Sequence, residues 1–517
     1  MKKPMDLRKP QWTAFFSAVI AGVAAHGFAL FNVLHNYDNI LQQPVGYGAG
    51  ITSGRWLLTV LGDFCQNYLY LNFNLPTVNG LAFLLLIALS AVVVTDVLKL
   101  RSRLSAGLTG CLMVTFPTVC GTMAFRYTAP FYGLSLLLAA AAVWVLRKNK
   151  AGLLLSAICI ACSMGLYQAY VPFAISLFVL ALMKKALEED ADLKKLILRG
   201  LWDCAALILG VVLYFAMQKL LMAVYPADKT LALDSYQGID TMGQISLAAL
   251  PGLVKKAWLE AAFFALTDYC GLVSTAPLKL LWCGLILVIL VLAVLVLLLR
   301  KPKPLNAAFF CIMGLLVPLA VNFIVVMAPE GIIYTIMVYP FVFLAIAPLM
   351  LLEALPEGKW QLLLAKATAV LTAAIVFYNG YNTNFNYTAL YYANRQAENY
   401  VSGMMTQMRM AEGYTPDKKW VFLGANQDPS LWDIWNVAPY YYGGVSGSSA
   451  REVMQATYSF DFWFYTYLGY GIPQPTAEEE AAVSQDPRVA EMPCWPENGS
   501  IQVIDDYLVV KFENIEN

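Results

Sequence analysis

The sequence predicts an α-helical integral membrane protein of about eleven transmembrane helices with long exterior loops, followed by a small exterior C-terminal α/β domain. Only 13% of the 517 residues are charged, and the mean hydropathy is +0.61. A soluble domain has about a quarter of its residues charged. Apolar runs of about 20 residues, the length that crosses a bilayer, recur along the first three quarters of the chain.

The eleven apolar runs define the spans and the domain boundary. They lie near 12–33, 78–98, 104–122, 128–146, 151–166, 169–183, 200–222, 278–299, 305–327, 332–352 and 361–379. The first run could pass for a signal peptide, but it is longer than a typical signal core, so a retained span is predicted. Residues 1–379 therefore form the predicted polytopic transmembrane domain, and residues 380–517 the exterior α/β domain.

Lysine and arginine collect in the loops on one side of these spans. Six such loops hold 20 of them, whereas the opposite loops hold five. The six loops are 1–10, 99–103, 147–150, 184–199, 300–304 and 353–366. Because basic loops stay in the cytoplasm, the N-terminus is predicted to be cytoplasmic and the C-terminal domain exterior.

The run 151–183 is too long for one span and short for two. Basic residues flank both of its ends, so it is predicted to cross twice or to form a re-entrant hairpin. The polar sequence Gly165–Tyr170 then lies at its exterior apex. Irregular polar backbone at membrane depth survives only inside protein or beside a cavity, so this break is a candidate cavity wall.

The C-terminal region has mixed local patterns and an acidic balance. Residues 380–517 carry 17 acidic and 7 basic residues, which argues against a nucleic-acid partner. The patterns predict helices over Phe385–Met410 and Ser449–Leu468, a strand over Lys419–Gly424, and a hairpin of Ile501–Ile504 with Tyr507–Phe512.

Cofactor signatures are missing from the sequence. Two histidines without ligand spacing give no metal signature, and a divalent metal held by carboxylates alone would leave no sharper trace. The sequence contains neither a P-loop nor a dinucleotide-binding glycine fingerprint. A nucleotide-sugar site inside the cell is therefore unsupported, and no cofactor is predicted.

Two residues of chemical interest follow the first span on its exterior side. Asp38 is placed where its carboxylate can take a proton from a hydroxyl group, as the transfer of a sugar to that hydroxyl would require. A helix cap or a solvated loop acid is the alternative. Arg55 has the planar fork that binds two phosphate oxygens. Snorkelling beside Trp56 is the alternative. Arg126, at the next exterior turn, is a second candidate phosphate ligand.

Aromatic and amide side chains at the same mouth are candidates for binding the sugar or the acceptor. Rings can stack on the apolar faces of sugars, and phenol or amide groups can bond to sugar hydroxyls. Interfacial tyrosine is frequent in any membrane protein, so no single one identifies a site. The candidates are Tyr37, Trp56, Tyr127, Tyr167, Gln168 and Tyr170.

Together these stretches resemble the bacterial polytopic glucosyltransferases of the serotype-converting, O-antigen-modifying type, within the GT-C class. The matching pieces are NYDNI at 36–40, GYG at 46–48, SGRWL at 53–57, FP at 116–117, FRYT at 125–128 and GLYQAY at 165–170. The resemblance covers roughly residues 12–350 in layout and is sharpest over 34–60 and 116–172.

The resemblance implies transfer of glucose, or a similar hexose, from an undecaprenyl-phosphate donor to a surface glycan. The reaction would take place on the outer face of the bacterial cytoplasmic membrane, with Asp38 as the base and Arg55 on the donor phosphate. A donor-lipid synthase and a small flippase are the implied companions. Family members often show a paired acid where this chain has Tyr37-Asp38-Asn39, so a two-carboxylate metal site is not implied.

Two other classes of protein remain as alternatives. A transporter or flippase of lipid-linked sugar usually shows internal repeats and ionisable residues near the bilayer midplane. The sequence shows no repeat, and its conspicuous ionisable residues collect at one mouth. A structural or sensory membrane protein would not need the polar break in 151–183. The observations favour the enzyme and leave its acceptor and stereochemical course open.

Overall fold

The chain divides into two compact units. The computed structural model describes residues 9–43, 46–71, 74–148, 152–224, 242, 246–273, 275–428 and 450–514. The first unit takes the described residues within 1–32 and 44–384. The second takes those within 33–43, 385–441 and 445–517. The segment 33–43 thus belongs with the C-terminal part of the chain although it directly follows the first helix.

The first unit is helical throughout its regular structure. Its helices are α1 Pro10–Phe31, α3 Trp56–Asn67, α4 Pro76–Val97, α5 Arg103–Thr115, α6 Pro117–Met123, α7 Ala129–Lys148, α8 Gly152–Leu166, α9 Val171–Ala186, α10 Leu193–Val224, α11 Leu250–Ala262, α12 Phe264–Thr267, α13 Ala276–Arg300, α14 Pro304–Val321, α15 Ile324–Met327, α16 Val342–Leu352 and the first part of α17 Lys359–Met410. Helix α2, Tyr37–Leu41, lies in the second unit.

Apolar helices coincide with all the predicted spans. Among the described residues, nine helices are long and apolar enough to cross a membrane, and two shorter apolar helices, Gly152–Leu166 and Tyr339–Leu352, fill the remaining positions. The protein is therefore an α-helical membrane protein. The crossing of all eleven segments and their orientation stay predictions.

Small residues bring the helices of the first unit close together. Helix α1 packs against α4 and α5, and α7 packs against α4 and α8. A Cβ atom on Gly110 would lie 2.1 Å from the carbonyl oxygen of Ala14, so only glycine permits this approach of α5 to α1. Ser135 and Ser163 each donate a hydroxyl to the other's carbonyl oxygen at 2.9 Å and link α7 to α8. Close packing and hydrogen bonds of this kind hold helices together in lipid, where the hydrophobic effect does not drive their association.

Two breaks interrupt the helices, one inside the span expected over 104–122 and one at the predicted polar break after Gly165. Phe116 is extended, because a residue before proline avoids the helical region, and it separates α5 from α6 at Pro117. Tyr167 is also extended and is followed by a 3₁₀ turn, Gln168–Tyr170, that leads into α9. All three residues of this turn are buried. Irregular backbone is here enclosed by protein, as a break at membrane depth requires.

The second unit is a small α/β arrangement around one mixed sheet. It contains α2, α17 from Phe385 onward, α18 Ala450–Gln455, α19 Ala477–Ser484, α20 Pro487–Glu491, β1 Lys419–Leu423, β2 Ile501–Ile504 and β3 Tyr507–Lys511. The strand order is β1-β3-β2. Strand β3 pairs in parallel with β1 and antiparallel with β2, so the predicted strand and the predicted hairpin form one sheet.

Aromatic packing overrides one helix prediction in the second unit. The single helix expected over Ser449–Leu468 is wrong within the described residues, where α18 ends at Gln455 and a π-helical turn covers Phe464–Leu468. Phe460 and Phe464 instead insert into the core and contact Phe422 of β1. Aromatic side chains lose rotamer freedom in a helix, so their tertiary contacts decide the local backbone.

Candidate active site

Three polar side chains hold the loop that precedes Arg55. Gln168 donates its amide to the carbonyl oxygen of Ser53 at 2.9 Å, and Tyr214 donates its hydroxyl to that of Gly54 at 2.9 Å. Gln218 donates to the carbonyl oxygen of Ile51 at 2.6 Å. Tyr214 and Gln218 are four residues apart and share one face of α10. The turn Ile51–Gly54 is therefore fixed from two directions.

Gly54 permits this arrangement. Its φ of 72° lies in the left-handed region, and an added Cβ would lie 2.4 Å from Nε2 of Gln168 and 2.5 Å from the Tyr214 hydroxyl. Residues other than glycine pay a steric cost in that conformation. The glycine thus lets the two side chains approach the backbone and sets the direction in which the chain enters α3.

We expect Gly54→Ala to destabilise the first unit. The left-handed conformation alone costs about 1–2 kcal/mol for alanine, and the displaced bonds to Gln168 and Tyr214 add to this cost. Thermal unfolding in nanodiscs measures the change, with Gly27→Ala as the matched control because no atom lies within 4 Å of a Cβ there. Equal unfolding temperatures for the two variants would contradict the assigned role of Gly54.

Arg55 lies beside a pair of stacked tyrosines. The rings of Tyr132 and Tyr167 are 3.9 Å apart between centroids and nearly parallel. The central guanidinium carbon of Arg55 lies 5.7 Å and 5.3 Å from these two centroids. Both distances are within the range of a cation–π interaction, so the rings hold the positive charge in place.

The Arg55 guanidinium retains hydrogen-bonding capacity within the described part of the chain. Its Nε is buried and has no hydrogen-bond partner among the described residues. Nor does Arg55 join any of the ion pairs that these residues form. Leaving a buried donor unsatisfied is costly. An anion with two acceptor oxygens would satisfy this fork.

Arg126 occupies a different environment from Arg55. Its side chain is fully buried, and Nη1 donates to the carbonyl oxygen of Asn32 at 2.8 Å, just after α1 ends. Its own carbonyl oxygen accepts the Asn79 amide at 3.1 Å. A cation at a helix C-terminus complements the helix dipole. Arg126 thus stabilises the end of α1.

The remaining candidates of the first unit lie around this loop. The ring of Tyr170 contacts the Tyr167 ring edge-on, with 5.0 Å between the centroids. The indole of Trp56 packs directly on Gly165, where an added Cβ atom would lie only 2.5 Å from it. The ring of Tyr127 packs on Gly48 in the same way, because an added Cβ atom there would lie 2.7 Å from the ring. All of these rings are buried, as is Gln168. The structure therefore brings Arg55, Trp56, Tyr167, Gln168 and Tyr170 together.

Asp38 and Tyr37 lie in the second unit. Asn36 is the N-cap of α2, and its Oδ1 accepts the N–H groups of Asp38 at 3.1 Å and Asn39 at 2.7 Å. Asp38 is therefore not itself the cap. Its half-buried carboxylate accepts the hydroxyl of Tyr458 at 2.8 Å, and the Tyr37 ring meets the Tyr458 ring edge-on at 6.2 Å.

Sequence reasoning missed Tyr132, Tyr214 and Tyr458. Tyr214 and Gln218 left a usable signal, since two polar groups four residues apart lie in a largely apolar stretch of α10. Tyr132 is one tyrosine among many near helix ends, and Tyr458 is far from Asp38 in sequence. Within the described residues, no three His, Cys, Asp or Glu side chains gather as a candidate metal site.

The fold defines a membrane-embedded helical protein, and its candidate site holds a cation, Arg55, beside two stacked tyrosines. The comparison with protein families gives its membership. The family model described as Glucosyl transferase GtrII matches residues 27–351, which is more than half of the chain and includes every candidate residue named from the sequence. The chain belongs to this family, which implies glucosyltransferase activity. No curated protein and no solved structure matches the chain.

Proposed function

We propose that this protein transfers glucose from a polyprenyl-phosphate donor to a cell-surface glycan on the outer face of the cytoplasmic membrane. The observation that carries the proposal is the state of Arg55, a cation held by two stacked tyrosines with a buried Nε that no described residue satisfies. A separate donor-lipid synthase and a small flippase would supply the donor at that face.

A lipid phosphate suits Arg55 for two reasons. A sugar phosphodiester carries one negative charge on two equivalent oxygens, which matches the two-pronged guanidinium. A polyprenyl chain also keeps such a donor in the bilayer, next to a protein whose helices are apolar over spanning lengths. The sequence has neither a P-loop nor a dinucleotide-binding glycine fingerprint, so it gives no support for a soluble nucleotide sugar as the donor.

Asp38 supplies the base in this proposal. Its carboxylate takes the proton of the acceptor hydroxyl while the acceptor oxygen forms a bond to C1 of glucose. The bond between C1 and the phosphate oxygen breaks, and polyprenyl phosphate leaves with the negative charge that Arg55 neutralises. General-base assistance of this kind contributes about 10²–10⁴ in rate.

The other predicted ligands divide into two groups by their contacts. Gln168 and Arg126 also bond to backbone carbonyl oxygens, those of Ser53 and Asn32. Arg126 keeps its proposed role as a second phosphate ligand, and Gln168 its proposed role in binding the sugar or the acceptor. The aromatic candidates, which provide faces and hydroxyl groups suited to sugar, keep the proposed role of binding the glucose or the acceptor. They are Tyr37, Trp56, Tyr127, Tyr167 and Tyr170.

A comparison of donors tests this proposal. Purified protein in nanodiscs is given cell-envelope glycan and either polyprenyl-phosphate-glucose or UDP-glucose, each carrying labelled glucose. We expect the glycan to become labelled with the lipid donor and to stay at the background level with the nucleotide sugar. Efficient labelling from UDP-glucose alone would contradict the assigned donor class.

A further inference from the structure

The segment 33–43 is built into the core of the second unit. Ile40 is fully buried in an apolar cluster with Met404 of α17 and Trp463. The amide of Asn394, also on α17, bonds the main chain of His35 twice, accepting its N–H at 2.6 Å and donating to its carbonyl oxygen at 2.7 Å. A buried apolar anchor and a two-point polar anchor fix this segment on the C-terminal part of the chain.

Aromatic contacts complete the attachment of the segment. The His35 ring meets Trp463 and Tyr467 edge-on at 6.4 Å and 5.9 Å. Its Nδ1 lies 3.0 Å from the side-chain amide of Asn39, which also donates to the Leu34 carbonyl oxygen at 3.0 Å. The backbone around Asp38 is therefore held in one conformation by the second unit.

The carboxylate of Asp38 has its own contact with that unit. The Tyr458 hydroxyl donates to Oδ1 at 2.8 Å, although the Tyr458 side chain is 55% exposed. A hydroxyl donor to a carboxylate fixes its rotamer and favours its ionised form, the form that accepts a proton. The edge-on contact of the Tyr37 and Tyr458 rings limits movement of both partners.

We infer that Tyr458 is a positioning residue for Asp38, and that the second unit carries and orients the base of the reaction. The inference rests on the proposed function, because it assigns Tyr458 a role through Asp38. Tyr458 lies outside residues 27–351, so its assignment comes from the contact itself and not from the family match. The C-terminal part of the chain thereby has a defined task in catalysis.

The substitution Tyr458→Phe tests this role. We expect turnover to fall about tenfold, the effect of losing one hydrogen bond to a charged group, while the KM for the lipid donor stays unchanged. The acidic limb of the pH–rate profile should move to higher pH, because the carboxylate loses a donor that favours its ionised form. A merely structural role would not move this limb.

A matched variant removes a phenol from the same unit. Tyr470 packs its ring under Arg409 at 4.4 Å, and Tyr470→Phe should leave both turnover and the pH profile as in the wild type. Hydrogen exchange gives a readout that does not need activity. The amides of residues 37–41 should exchange faster in Tyr458→Phe than in Tyr470→Phe, because α2 loses one of its side-chain contacts, the bond from Tyr458 to Asp38.

The outcomes separate this inference from the proposed function. Wild-type turnover and pH profile in Tyr458→Phe, alongside an inactive Asp38→Asn variant, would overturn the positioning role and leave the base assignment intact. Full activity of Asp38→Asn in the same assay would instead overturn the base assignment, and the role of Tyr458 with it. Slower turnover with a shifted acidic limb supports the inference.

Discussion

Replacing Asp38 with asparagine should lower the rate of glucose transfer by about 10²–10⁴, the contribution of a general base. Asparagine has the same shape and keeps an oxygen that can accept the Tyr458 hydroxyl bond, which is 2.8 Å long in the native protein. It cannot take a proton from the acceptor. The Asn36 cap of α2 uses backbone N–H groups, so the local fold should survive.

Binding of the lipid donor separates this chemical effect from a structural one. Donor affinity should stay within about twofold of the wild type, since the proposed phosphate ligand is Arg55, in the first unit. Asp461→Asn is the control, because Asp461 is a partly buried acid of the same unit whose carboxylate accepts the Gln474 amide at 3.2 Å. Transfer by Asp38→Asn at the rate of this control would refute the base assignment.

The second large effect, a loss of affinity for the lipid donor, is expected on substitution of Arg55. Arg55→Lys keeps the positive charge but loses the planar fork and its contact with the rings of Tyr132 and Tyr167. Loss of charge-assisted hydrogen bonds costs about 1.5–3 kcal/mol, which is about 10- to 150-fold in affinity for the lipid donor. Titration of polyprenyl-phosphate-glucose into protein in nanodiscs measures it.

Two further Arg→Lys variants show whether the effect is specific. Arg126→Lys removes a bond to the Asn32 carbonyl oxygen from a fully buried position, so it should lower the unfolding temperature more than the donor affinity. Arg395→Lys changes an exposed arginine paired with Glu398 and should alter neither. Equal donor affinity in Arg55→Lys and Arg395→Lys would exclude Arg55 as the phosphate ligand.

The membrane part of the fold could be predicted because its physical signals are local. Apolar runs of spanning length locate the helices, and the polar residues after Gly165 locate the break before α9. The break at Pro117 was not predicted, although the residue before a proline avoids the helical region. Each signal acts through the backbone of its own segment. The sequence also placed Arg55 and Tyr167 at one predicted mouth, and the two side chains lie beside each other in the structure.

The contacts of Asp38 within the second unit depend on tertiary packing and could not be predicted in this way. Nothing local in 33–43 indicates that Ile40 is buried with α17 and Trp463 rather than with its sequence neighbours. Tyr458 reaches Asp38 across 420 positions of sequence. The aromatic stretch that contains it resembles a helix by pattern, yet its rings pack into a core that forms only when the whole unit is assembled.

The proposed enzyme forms a glycosidic bond and does not move the lipid-linked sugar across the bilayer. Proteoliposomes containing wild-type protein, labelled polyprenyl-phosphate-glucose and external glycan test both activities in one experiment. We expect the glycan to gain glucose in equal amount to the polyprenyl phosphate released. Movement of labelled donor between leaflets without any label in the glycan would contradict the proposed function and indicate a flippase.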